Sequence, residues 1–160
     1  DMLHRVEAAL PADIAIFAAA VADWRVANKG EQKLKKTAAG IPPLQLVENP
    51  DILSTISKLK DKRPPLVIGF AAETENLIDN AKAKIARKGC DWIVANDVSP
   101  ATGVMGGDRN TVHLLTRDDG NDITVDSWPV MTKEQVATEL VAKIAGKITT
   151  TIAGTVEKNS

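Results

Sequence analysis

Apolar positions recur along this chain with two different periods, and the switches between them predict its elements. Met2, Leu3, Val6, Ala9 and Leu10 fall at near-helical spacing, which predicts an amphipathic helix ending before Pro11. Asp13-Ile14-Ala15-Ile16-Phe17-Ala18 follows, a short run rich in Ile and Ala that reads as a buried strand. The chain then breaks into small residues, one acid and a basic cluster, AAAVADWRVANKGEQKLKK from Ala18 to Lys36, as expected of chain leaving a sheet. Leu44-Gln45-Leu46-Val47 alternates as a short strand. Asn49-Pro50-Asp51 opens a helix with Ile52, Leu53, Ile56 and Leu59 as its apolar face.

The run Leu66-Val67-Ile68-Gly69-Phe70-Ala71-Ala72, introduced by Pro64 and Pro65, is the strongest candidate for a buried strand. Glu75 to Lys88 reads as a helix with Leu77, Ile78, Ala81 and Ile85 inward, ended by Gly89. Asp91 to Ala95 is a further strand leading into Asn96-Asp97. Val98 to Arg109, with three glycines and Pro100, is a long loop over the sheet end. Thr111–Leu115 and Ile123–Val125 alternate across Asp118-Asp119-Gly120-Asn121, a hairpin at the sheet edge. Thr132 is the N-cap of a helix over Glu134–Leu140, and from Lys147 the chain has no clear helical period, which predicts a flexible tail.

Strand, loop and helix in alternation imply an α/β, three-layer Rossmann-like domain. Its sheet is expected to be mostly parallel, with an antiparallel edge hairpin. Residues 1–146 are expected to form one domain, with 147–160 as the tail. A doubly wound domain ordinarily opens on a strand and a glycine-rich turn, whereas this chain opens on a helix. The opening strand is therefore expected to be missing and the domain truncated at its amino end.

Composition narrows the class. At 160 residues, 44% hydrophobic and 26% charged with a net charge of −1, the chain falls among globular proteins and lacks the basic excess that nucleic acid binding favours. Cys90 is the single cysteine, and His4 and His113 lie far apart, so neither an internal disulfide nor a zinc motif is expected. No apolar run approaches the ~20 residues that span a bilayer. These features fit a cytoplasmic protein with neither nucleic acid nor membrane as partner. Neither a GxGxxG turn nor a P-loop is present.

The candidate chemistry sits where strands end. Asp23 stands just past the first strand, with Lys33, Lys35 and Lys36 on the loop beyond. An acid that holds Mg²⁺, followed by lysines, suits a nucleoside triphosphate, although an ordinary strand and a solvated basic loop would read the same way. Around Pro50, free N–H groups at a helix start attract anions, or Asn49 or Asp51 simply caps the helix. Phe70 covers a base or sugar, or packs in the core. Lys84 and Lys88, four apart on one helical face, reach one phosphate or complement the helix dipole. Glu73 reads as a helix-entry residue, and Asn96 as either a substrate-orienting amide or a turn-former.

AAAVADWR with KLKK, Val47-Glu48-Asn49-Pro50-Asp51-Ile52, Gly69-Phe70-Ala71-Ala72-Glu73-Thr74 and Ala95-Asn96-Asp97 together resemble phosphopantothenoylcysteine synthetase. This is the CTP-dependent ligase of coenzyme A biosynthesis, usually the carboxy-terminal half of a bifunctional bacterial protein. The resemblance implies Mg²⁺, with CTP as co-substrate, 4′-phosphopantothenate and cysteine as the other partners, and FMN only where a decarboxylase half lies upstream. It implies CTP contacts from Asp23, Lys33, Lys36, Pro50, Asp51, Ile52, Leu53, Phe70, Lys84 and Lys88, with Asp23 also the metal ligand. Lys33 and the backbone at Ala19 and Ala20 would serve catalysis. A flap carrying KLKK can reach into a neighbouring subunit, so a homodimer is expected, larger when fused to a decarboxylase half. The family's glycine-, serine- and asparagine-rich loops ahead of the first helix have no match here. Two other classes fit the residues: an NAD(P)-dependent Rossmann-like reductase and a non-catalytic nucleotide-binding module.

Overall fold

The structure is a computed structural model that describes residues 2–27, 43–99, 108–118 and 120–158. A five-stranded sheet in the order β1-β4-β5-β7-β8 forms the middle layer. β1 (Ile14–Phe17), β4 (Leu66–Glu73) and β5 (Trp92–Asp97) pair in parallel. β7 (Val112–Arg117) runs antiparallel to β5, and β8 (Ile123–Ser127) antiparallel to β7, so every strand but β7 points the same way. The expected parallel sheet with an edge hairpin is what forms.

Alternation along the central strands divides the core in two. Leu66, Ile68, Trp92, Val94, Val112 and Leu114 face α4 (Lys133–Lys158), meeting its Val136, Leu140 and Ile144. Val67, Ala71, Ile93, Ala95 and Leu115 face the other way, onto Ala81 and Ile85 of α3 (Leu77–Lys88), with Leu53 of α2 (Ile52–Ser57) packed alongside. The result is helix, sheet, helix. β4 and β5 are apolar on both faces because both are covered.

α4 starts with a reciprocal cap, in which Gln135 N–H donates to Thr132 Oγ1 (3.2 Å) and Thr132 N–H to Gln135 Oε1 (2.8 Å). The helix does not end near Leu140, nor does it stop at Lys147. Val136, Leu140, Ile144 and Ile148 stand four apart and keep one stripe against the sheet. The threonines that obscure the period bond back into the helix, Thr149 Oγ1 to Ala145 O and Thr150 Oγ1 to Gly146 O.

Other expectations change. β1 is an edge strand rather than a buried one: Ile16 is 48% exposed, and no described strand pairs with its far side. α1 (Met2–Ala8) buries no residue completely. Trp24 to Val26, read as loop, is β2, paired antiparallel with β3 (Leu46–Glu48) in a separate ribbon. A second small ribbon joins β6 (Arg109–Asn110) to β9 (Met131–Thr132). Glu73 closes β4 and does not enter α3, which begins at Leu77 after Asn76 in the left-handed region (φ 46°). Among the described residues no helix is long and apolar enough to cross a membrane.

Candidate nucleotide site

β1 ends at Phe17, opposite Gly69 in the register, while β4 runs on to Glu73, and the chain leaving β1 together with Phe70 of β4 borders a cavity of about 690 Å³. Carboxyl ends of parallel strands are where open α/β sheets bind ligands, since the departing loops diverge there. One wall is the β1 exit, Ala18 to Asp23. The second is the start of α2, Pro50 to Leu53. Phe70 from β4 and Lys84 and Lys88 from α3 complete that end, while α1 contributes Met2, Arg5 and Val6 at the other.

The first two walls are tied together by Asn49. Its Nδ2 donates to Ala22 O (2.7 Å) and its backbone N–H to Asp23 O (2.7 Å), while Arg25 Nη1 donates to Asn49 Oδ1 (3.0 Å). The helix cap is therefore Asp51 alone: its Oδ1 accepts from Ser54 N–H at 3.0 Å. The Oδ2 of Asp51 accepts from Lys88 Nζ. Burial by itself would push the Asp51 carboxyl up. The Lys88 and Ser54 hydrogen bonds, with the charges of Lys88 and Arg87, outweigh it and hold the group below the usual carboxylate range.

Lys84 Nζ donates to Glu73 Oε1 at 3.2 Å. Lys84 and Lys88 are half-buried toward the cavity whereas Lys82 is exposed on another face of α3, so position in the helical turn separates the three. Phe70 packs against the α4-side core and also lines the cavity.

Gly69 serves packing. A Cβ there would lie 2.5 Å from Leu53 Cδ2 and 3.0 Å from Ile93 Cδ1, so what approaches its backbone is a cavity-lining side chain rather than a ligand. Gly69→Ala is expected to displace Leu53 and to cost about 1–3 kcal/mol by denaturant unfolding. An unchanged midpoint would show that Leu53 moves freely.

Every expected site residue within the described chain lines this cavity: Ala19, Ala20, Asp23, Pro50, Asp51, Ile52, Leu53, Phe70, Lys84 and Lys88. Lys33 and Lys36 lie outside the described residues. Asn96 is a ladder residue of β5, opposite Ala72 and Val112, and does not line the cavity. Arg5 and Glu73 were not singled out from sequence as site residues. The sign that would have found Glu73 is its acid character one register step beyond an apolar face shared with α3.

Asp23 is an exposed carboxylate on the cavity wall, and among the described residues no group of three or more His, Cys, Asp or Glu is placed to hold a metal. Mg²⁺ needs only one or two carboxylates when substrate phosphates and water complete its shell, so Asp23 fits that ion. Cys90 offers no nucleophile, because burial pushes its thiol up to about 11.

The comparisons with known proteins agree with this fold. Residues 1–148 match the family described as the DNA/pantothenate metabolism flavoprotein C-terminal domain. The chain is 41% identical over 139 residues to the coenzyme A biosynthesis bifunctional protein CoaBC of Haemophilus influenzae, covering 87% of this chain and 33% of that protein. It is 45% identical over 108 residues to the protein of the same name from Escherichia coli K12, covering 66% and 26%. The crystal structure of the C-terminal domain of a coenzyme A biosynthesis bifunctional protein CoaBC superposes with a TM-score of 0.66 at 32% identity, over 92% of this chain and 61% of that one. The chain thus spans about a third or less of the length of these curated relatives.

Proposed function

Since the chain belongs to the family of the DNA/pantothenate metabolism flavoprotein C-terminal domain, we propose that it forms the nucleotide site of a phosphopantothenate–cysteine ligase in coenzyme A biosynthesis. The observation that carries this reading is the convergence on one cavity of ten residues drawn from the β1 exit, α2, β4 and α3. In the proposed reaction the carboxylate of 4′-phosphopantothenate attacks the α-phosphorus of CTP and pyrophosphate leaves. The amine of cysteine then attacks the acyl carbon, and phosphopantothenoylcysteine and CMP are released.

The residues divide this work. Lys84 and Lys88 bind phosphate oxygens as point charges on a rigid helix. Pro50 to Leu53 and Phe70 enclose the nucleoside. Asp23 would hold Mg²⁺, which when bound supplies charge neutralisation at the phosphates. Backbone groups at Ala19 and Ala20 orient the acyl group, and Lys33, with Lys36, reaches the triphosphate from the β2–β3 connection. The compartment is the cytoplasm and the assembly a homodimer, for which sedimentation of the full-length protein as a strict monomer at micromolar concentration would be the contrary result.

The direct test is a thermal-shift titration with CTP, ATP, UTP and NAD, each with and without Mg²⁺. Saturation at a hundred times the dissociation constant adds about 2.7 kcal/mol to the native state, which at this chain length raises the midpoint by roughly 5–10 °C. A Mg²⁺-dependent shift with CTP alone is expected. A shift with NAD alone would instead favour a reductase, and binding of CTP without pyrophosphate release by the full-length protein would favour a non-catalytic module.

A further inference from the structure

Lys84 and Lys88 both reach the cavity, and each already has an acid partner, but the two acids stand differently. Glu73 is absent from the cavity lining, so it holds Lys84 from outside the wall. An ammonium has three donors, and Lys84 keeps the others for a ligand. Asp51 does line the cavity, beside Lys88 and paired with it, so an anion binding Lys88 there meets the Asp51 carboxylate. Its side chain is 42% exposed against 19% for Lys88, and its two oxygens serve different partners, Oδ1 the Ser54 N–H and Oδ2 the lysine. The cap can therefore persist while the ion pair opens.

We propose that Asp51 is an exchangeable counter-ion for Lys88: it yields the ammonium when a phosphate group enters and reclaims it when phosphate leaves. The inference rests on the proposed role of Lys88 as a phosphate contact. Competition of this kind weakens ground-state binding and speeds release, which suits a site that must discharge pyrophosphate each turnover. Glu73, by contrast, is a positioning residue that need not move.

The test compares full-length wild type with Asp51→Asn, Lys88→Ala and the double variant, using inorganic pyrophosphate and Mg²⁺-CTP as probes in calorimetric titrations and stopped-flow release. Asn caps a helix as well as Asp, so the substitution removes the charge and keeps the cap, and the far-ultraviolet circular dichroism of the folded variant should match wild type. Asp51→Asn is expected to bind both probes roughly twofold to fivefold more tightly, the gain from deleting a competing, partly exposed charge. Release should slow in proportion. Lys88→Ala should weaken binding, and the double variant should match Lys88→Ala. Unchanged or weaker binding by Asp51→Asn, with Lys88→Ala still impaired, overturns the counter-ion role and leaves the nucleotide site standing. Unimpaired binding by Lys88→Ala overturns both.

Discussion

Lys33→Ala in the full-length protein is expected to cut acyl-cytidylate formation by one to several orders of magnitude, with little change in the unfolding midpoint. Lys33 lies on the connection between β2 and β3, and the ends of that connection are fixed beside the cavity. Ala27 N–H donates to Gln45 O at 2.8 Å, and Asn49 joins the base of the ribbon to Ala22 and Asp23. In the proposed site, Lys33 supplies a further positive charge to the phosphates besides Lys84 and Lys88. Loss of one preorganised charge contact to a developing anion costs ~2.7–4 kcal/mol of transition-state stabilisation, which sets the scale. Quench-flow measurement of pyrophosphate release in the first turnover is the check. A wild-type first turnover would remove Lys33 from the chemistry.

Asp91→Ala is expected to produce the largest loss of stability, about 2–3 kcal/mol, lowering the midpoint by roughly 5–10 °C. Asp91 closes the end of the sheet opposite the cavity. Its Oδ1 and Oδ2 accept from Arg63 Nη2 at 2.9 and 3.0 Å, and Oδ2 also accepts from Val67 N–H at 2.7 Å. Arg63 in turn donates to Ser57 O and Pro64 O, and Arg117 Nη2 to Gly89 O. Removing the carboxylate leaves a guanidinium and a strand N–H short of an acceptor. The pair is about one quarter exposed, 23% and 24%, so the cost falls below that of a fully buried ion pair. Denaturant unfolding measures it, and a loss under about 0.5 kcal/mol would mean that water replaces the carboxylate.

How far the sequence is legible depends on whether an element's neighbours are near in the chain. β4 and α3 read correctly because both carry their own evidence, a continuous apolar run in one and a four-residue stripe in the other. β2 does not, because Trp24-Arg25-Val26 is extended only through pairing with Leu46 to Glu48, some twenty residues later. α4 is underestimated for another reason. Past Lys147 its composition is poor in strong helix formers, and what continues it is the sheet face that receives Ile144 and Ile148. β1 looks buried by composition, yet its edge position leaves Ile16 half exposed.

The same division holds for the site. Asp23, the Pro50–Leu53 turn, Phe70, Lys84 and Lys88 stand at features legible locally, a strand end, a proline-led helix start and an i, i+4 lysine pair, but those features admit a purely structural reading at each, and it is the resemblance that singles them out as a site. Their convergence is not local: it follows from β1 ending alongside β4, opposite Gly69, and from α3 packing beside α2. Nor does sequence assign the partners of the lysines. Lys84 meets Glu73 eleven positions away and Lys88 meets Asp51 thirty-seven away. Propensity and period act over a single turn or pleat, whereas charge pairing acts through space, so which acid meets which lysine is decided only when the sheet and helices pack.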